Sequence, residues 1–262
     1  MLLDAGCTSQ LDRNQVDAAQ KRYLLAADYY AKGMIPAAQE ELRQALALDP
    51  QNHEALYLTG LISMRQAVET QDLATRWECL PPNEARVHLE DVDARMRSAE
   101  AQYRKAVQAR PDYSEAWNAL AAVALHFKRW DEAIAHSERA LRNAAYSTPW
   151  LALVNQGVAY LEKKEYLRAG KVLREALAQN AKLCVARWRL GQVYFSQQDL
   201  ERARQELQAV VDDQNCPIQE AYLLLGQILV KLDERARAED IFAACRDMAP
   251  RSCVARECRL AD

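Results

Sequence analysis

Six segments of this chain carry one order of apolar, small and bulky positions. Each runs from an apolar residue to Leu-Gly or its equivalent, then an aromatic or aliphatic residue, an Ala, a bulky residue, a second Ala and often Pro. The first begins at Ala19 and reads Leu25-Ala26, Tyr29, Ala38, Leu42, Ala45 and Pro50; the fourth begins at Trp150 and reads Gln156-Gly157, Tyr160, Ala169, Leu173 and Ala176. The others begin at His53, Ser114, Cys184 and Gln219, so successive starts lie 34, 61, 36, 34 and 35 residues apart. The long interval is one 34-residue unit interrupted by 27 further residues. Such a period marks a repeat architecture, each unit predicted as two helices joined by a turn.

Gly60, Gly157, Gly191 and Gly226, with Ala38, Ala99, Ala133, Ala169, Ala203 and Ala238, predict close approach of the two helices of a unit. Leu42, Tyr103, Leu173 and Phe242 are expected to fill the space between one unit and the next. Pro50, Pro111 and Pro250 stop the second helix, because Pro has no N–H for the next helical hydrogen bond. The pattern resembles the tetratricopeptide repeat, a helix–turn–helix of about 34 residues. The resemblance covers residues 19–250 and implies an all-α superhelix, an α-solenoid of six such repeats across residues 17–250, that binds partners along a concave face lined by first helices.

The interruption falls in repeat two, at about residues 66–92, where helical pattern on both sides of Pro81-Pro82-Asn83 predicts an extended hairpin. Both arms are lengthened by about 13 residues, projecting roughly 20 Å past their neighbours. Leu73, Trp77, Val87, Leu89, Val92 and Met96 form the expected packing seam, with a disordered loop as the alternative. Residues 251–262 predict a C-terminal capping helix, since solenoid ends need cover.

Composition supports helices and removes several function classes. Gly occurs 7 times and Pro 8 times in 262 residues, where an average chain holds roughly 18 and 13. A formal net charge of −3 leaves no basic footprint, so nucleic acid is not an expected partner. No metal-binding His-Glu-x-x-His, phosphate-cradling Gly-rich loop or Gly-x-Ser-x-Gly occurs. His53, His88, His126 and His136 lack ligand spacing, and nothing near His126 or His136 in sequence orients them. The expectation is therefore no enzyme, no cofactor and no metal.

Seven cysteines are present. Leu2-Leu3-Asp4-Ala5-Gly6-Cys7-Thr8 looks like the cleavage region of a bacterial lipoprotein signal, with Cys7 as lipid acceptor and residues 1–16 as signal remnant and polar tether. Only six residues precede Cys7, and Asp4 stands where that family usually has Leu, so the alternatives are a start further upstream or an ordinary thiol at Cys7. The other six (Cys79, Cys184, Cys216, Cys245, Cys253 and Cys258) allow fifteen pairings. Repeat register favours Cys184 with Cys216, and Cys245 with Cys253 or Cys258; buried free thiols are the alternative.

In tetratricopeptide repeats, positions 2, 5, 9 and 12 of the first helix face the concave side. The resemblance therefore places Tyr23, Tyr30, Tyr57, Leu61, Met64, Leu125, Trp188 and Phe195 in an apolar, aromatic groove with few cations. Leu151 and Val154 are expected to pack on neighbouring helices instead. Co-chaperones of the family clamp a terminal carboxylate with Lys and Asn; here Tyr23, Ala27 and Leu58 stand there, which disfavours that activity. An amphipathic helix or an extended apolar peptide suits this groove better.

Six repeats behind Ala5-Gly6-Cys7-Thr8 resemble the outer-membrane pilotin lipoproteins of type IV pilus systems, the PilF, PilW and Tgl group. That resemblance implies a lipid-anchored protein on the periplasmic face of the outer membrane that binds secretin subunits and promotes their localisation and multimerisation. Tyr23, Tyr30, Tyr57, Leu61 and Met64 would help hold a secretin segment. The insertion departs from the plainer members. A scaffold without assembly activity, in periplasm or cytosol, is the alternative.

Overall fold

The computed structural model describes residues 12–261, which contain thirteen α-helices and one π-helical turn. Repeat one pairs α1 (Arg13–Ala31) with α2 (Ile35–Leu48). Repeat two pairs α3 (His53–Asp72), continued by the π turn Leu73–Trp77, with α4 (Pro82–Ala109). Repeats three to six are α5 (Ser114–His126) with α6 (Trp130–Leu141), α7 (Pro149–Glu162) with α8 (Tyr166–Gln179), α9 (Cys184–Ser196) with α10 (Leu200–Val211), and α11 (Gln219–Lys231) with α12 (Arg235–Met248). A short α13 (Cys253–Leu260) follows. Cys7 and the rest of residues 1–11 lie outside the described residues.

The two helices of a unit close on a small-against-large contact. A Cβ on Gly60 would lie 2.6 Å from the Tyr103 ring, one on Gly157 2.6 Å from Leu173, and one on Gly226 2.3 Å from Phe242. The bulky residues therefore pack on the glycine of their own unit, not only between units as the sequence suggested. The reason is length: a side chain leaving the second helix reaches the facing backbone only if no Cβ intervenes. In repeat three, where Ala121 stands at the glycine position, the bulky position shrinks to the fully buried Ser137. Ala38, Ala99, Ala133, Ala169, Ala203 and Ala238 are 0–1% exposed, which permits the close helix approach.

One turn recurs between first and second helices. Gly33, Lys128, Lys164, Gln198 and Asp233 occupy equivalent places and all have φ between 57° and 74°. In the repeat of Lys164, its N–H donates to Leu161 O at 2.9 Å and the Glu165 N–H donates to Tyr160 O at 2.8 Å, the double closure that ends a helix on a left-handed residue. The same pair of bonds recurs around Gly33, Lys128, Gln198 and Asp233. Repeat two has helical, fully buried Ala67 at this place, so α3 runs on where its counterparts turn. The 28 residues of α4 make a rod of roughly 42 Å.

Only part of the expected seam is buried. Val92 and Met96 are 0% and 4% exposed, whereas Leu73, Val87 and Leu89 are 59%, 62% and 43% exposed; the Trp77 side chain lies outside those described. Near its base the hairpin is pinned to its surroundings: Arg95 Nη1 donates to Gln66 Oε1 at 2.9 Å, and Asp93 Oδ1 lies 2.8 Å from His126 Nε2. Toward the tip the arms leave repeat three behind, so their outward positions meet water.

First helices contact the next first helix, α5 with α7, α7 with α9, α9 with α11 and α11 with α13, while second helices lie against first helices. First helices thus form the inner layer of a superhelix. Three disulfides tie its later part: Cys184–Cys216, Cys245–Cys258 and Cys79–Cys253. The first joins the start of repeat five to the loop before repeat six. The other two hold α13, whose eight residues are too few for an isolated helix. The Ser252 hydroxyl caps α13 by accepting the Ala255 N–H at 2.9 Å and donates to Gln219 Oε1 at 2.8 Å. Buried Gln219 in turn donates to Cys245 O at 2.6 Å, so the side-chain polar atoms of Gln219 and Ser252 all have partners.

Candidate functional site

The eight side chains expected on the concave side all sit on inner-layer helices, and all are half-buried, neither sealed in the core nor standing free. They divide into two zones. Over repeats one to three lies a tyrosine cluster centred on Tyr57, whose ring is 5.7 Å from Tyr103 and 5.3 Å from Tyr113. Burial, helped by Glu115, pushes the Tyr57 hydroxyl up to about 12. Burial raises Tyr103, Tyr113 and Tyr146 as well, and Tyr23 by burial and then by Glu54. A phenol held neutral in an apolar setting offers a donor and a face together. Met64 Sδ accepts from the Tyr103 hydroxyl at 3.6 Å, which anchors the thioether at the cluster's edge.

Tyr113 and Tyr146 come from loops that join repeats, outside the positions counted along first helices. They carry no periodic signal, and the sequence reading missed them. Tyr146, 6% exposed, packs with Ala140 and Ala152 beside Trp117, while half-buried Tyr113 also meets His53 edge-on at 5.1 Å.

The second zone lies on α9. The Arg189 guanidinium stacks on Trp188, 3.9 Å from the ring centroid, and its Nη1 donates to Gln192 Oε1 at 2.9 Å. Arg189 Nε and Trp188 Nε1 are buried donors without acceptors. Burial lowers the Arg189 pKa, although Glu162 and Glu220 oppose the shift. Arg65 similarly lies over the Tyr30 ring at 5.7 Å. The face is thus less purely apolar than the sequence reading held, because two arginines reach over its aromatic rings from places between the counted positions.

Leu151 and Val154 separate. Val154 is 9% exposed and packs in the core, but Leu151 is 41% exposed. With Val185 at 45% and Val230 at 44%, Leu151 belongs to the open part of the first helices. The difference is register: Val154 turns toward the next repeat, and Leu151 lies on the first turn of α7, where no neighbour covers it.

The arrangement combines apolar area with hydrogen-bond donors. Tyrosine, methionine and leucine supply apolar area, and hydroxyls and guanidinium donors can meet backbone carbonyls. Asp93 orients His126, which the sequence left without a partner, and the pair ties the hairpin to repeat three. Cys184, Cys216 and Asp213 cluster within 4.8 Å, but both sulfurs are spent in a disulfide and do not form a ligand set. Among the described residues, no helix is long and apolar enough to cross a membrane.

The tetratricopeptide repeat profile matches residues 23–69, 87–148 and 189–252, and a second profile of the same repeat matches residues 160–216. Among curated protein sequences none matches this chain. The structure is similar to that of PilF from Pseudomonas aeruginosa, with a TM-score of 0.71 at 17% identity over 95% of this chain and 100% of that one. It is also similar to PilW, described as a widely conserved type IV pilus biogenesis factor, with a TM-score of 0.69 at 20% identity over 91% and 96% of the two chains. A tetratricopeptide repeat protein from Parabacteroides merdae gives 0.54 at 17% identity over 94% and 99%.

Proposed function

The chain belongs to the tetratricopeptide repeat family, and from that premise we propose that it acts as a pilotin of a type IV pilus system. In this reading it holds an apolar segment of secretin subunits against its inner face and promotes their localisation and multimerisation at the outer membrane. The observation that carries the reading is the end-to-end correspondence with PilF and PilW over nine-tenths or more of each chain. Two features are consistent with it. The half-buried tyrosine, methionine and tryptophan side chains of the inner face offer adaptable contact area. All six cysteines of the described residues are paired, as expected of an oxidising compartment such as the periplasm.

Lipidation at Cys7 would place this face beside the bilayer and raise the local concentration of captured subunits. Several acyl chains on one cysteine give stable anchoring where a single chain would not. The test has two arms. Metabolic labelling with radioactive palmitate should mark the wild type and not Cys7→Ala. Deleting the gene should deplete heat-stable secretin multimers, and restoring it should return them. Multimers at normal abundance in the deletion strain would favour a scaffold role instead.

A further inference from the structure

The extended hairpin is fastened beside its tip to the far end of the chain. Cys79 is bonded to Cys253, 174 residues away, with 4.5 Å between their Cα atoms. The Cys79 N–H donates to Arg251 O at 2.8 Å, and Arg251 Nη1 lies 3.1 Å from Glu78 Oε1. Contacts therefore run in a closed circuit: from the π turn to α4, α5, α7, α9, α11 and α13, and back to the π turn. The hairpin thereby bridges the mouth of the inner face, and a superhelix that would otherwise be open on one side becomes a ring.

Among the described residues, the polar contacts of this seam beyond its covalent bond are few. The Glu78–Arg251 pair is exposed on both sides, and exposed ion pairs are weak. Among the described residues, the Cys79–Arg251 backbone hydrogen bond stands beside that pair across the junction. Of the three bridges, this is the one with both cysteines half-buried; Cys184–Cys216 has one such partner, Cys184, and Cys245–Cys258 has none. Cys79 and Cys253 are both half-buried, whereas Cys245 and Cys258 are 0% exposed and Cys216 is 4% exposed. Exchange needs a thiolate to reach a sulfur, so access ranks the bridges.

We infer that Cys79–Cys253 is a redox-operated clasp: oxidised, it holds the ring shut around the inner face, and reduction by a dithiol opens it for entry and release of a bound segment. One thiolate of the dithiol attacks a clasp sulfur, the S–S bond breaks, and the displaced cysteine leaves as a thiolate and takes up a proton. The second thiol then resolves the mixed disulfide, freeing the other cysteine and leaving the reductant as a cyclic disulfide. Two electrons and two protons pass from the dithiol to Cys79 and Cys253. The effect on binding rests on the proposed role of the inner face; the clasp itself does not.

The experiment titrates the full chain with dithiothreitol, traps free thiols by alkylation and maps them by mass spectrometry, with small-angle scattering at each step. Cys79 and Cys253 should be labelled at lower reductant than Cys245 and Cys258, and the radius of gyration should rise at that step. The Cys79→Ser/Cys253→Ser variant should show the same larger radius without reductant. It should also release a fluorescein-labelled amphipathic Leu/Lys peptide about tenfold faster than the oxidised wild type. Simultaneous labelling of both pairs, or one scattering curve for clasped and unclasped protein, overturns the clasp. A peptide that binds neither form overturns the inner-face reading, and scattering still decides the clasp.

Discussion

The ring of Tyr103 lies across the backbone of Gly60, where an added Cβ would come within 2.6 Å of it. The same relationship joins Gly226 to Phe242 at 2.3 Å. Neither ring is more than 1% exposed, so neither can retreat into solvent. Gly60→Ala and Gly226→Ala should each destabilise the protein by about 1–2 kcal/mol, overpacking outweighing the gain in helix propensity. Urea unfolding followed by circular dichroism checks this; unchanged midpoints would mean that the helices separate at no cost.

The turn residues reverse the sign. Lys164 and Gln198 both hold φ at 62°, a conformation that favours glycine. Lys164→Gly or Gln198→Gly should stabilise by roughly 0.5 kcal/mol, less than the full left-handed penalty because glycine also loosens the unfolded chain. The check is the denaturation midpoint.

The terminal helix depends on its bridges. Replacing all four of Cys79, Cys245, Cys253 and Cys258 by Ser should release α13 while leaving repeats one to five folded, since eight residues cannot hold a helix unaided. Hydrogen exchange across residues 253–260 should accelerate by at least about a hundredfold, and exchange in α5 to α9 should hold steady.

Acid should weaken the fold through half-buried histidines. Burial lowers the pKa of His136, with Arg104 adding to the effect and Glu132 opposing it; burial also lowers that of His53. A histidine with a depressed folded pKa binds its proton more readily in the unfolded chain. Stability is therefore full above the unfolded value near 6.5 and falls as pH drops from there through the folded value. His136→Gln should flatten the slope of melting temperature against pH between neutrality and about pH 5.

The repeat and its register were legible because the contacts that define them are local: a small residue on one helix and a large one on the next lie within a single unit, as Gly157 and Leu173 do. The period therefore located the turns, and the family resemblance that it carried put Tyr23, Tyr57 and Trp188 on first helices of the inner layer. Contacts set by the curvature of the whole stack were not legible. Nothing around Cys79 marks Cys253 as its partner, because only the path through four intervening repeats brings them together. Tyr113 escaped for a related reason, entering the tyrosine cluster from a loop that carries no period. Arg65 and Arg189 reach the inner face through long side chains, which helix position does not predict.

The structure also sets which variants can test binding. Tyr57 is wedged between Tyr103 and Tyr113, so Tyr57→Ala would cost about 3 kcal/mol of stability and confuse the result. Leu151→Glu and Val185→Glu place a charge on 41% and 45% exposed positions of the same face. They should weaken client binding about tenfold or more and shift the melting temperature little.

The most direct test is photo-crosslinking in cells, with a benzophenone side chain placed singly at Leu61, Trp188 and Leu151 on the inner layer, and at Leu167 on α8, which is 82% exposed on the outer layer. The account predicts secretin crosslinks from the inner positions and none from Leu167. Crosslinks from Leu167 alone would contradict it.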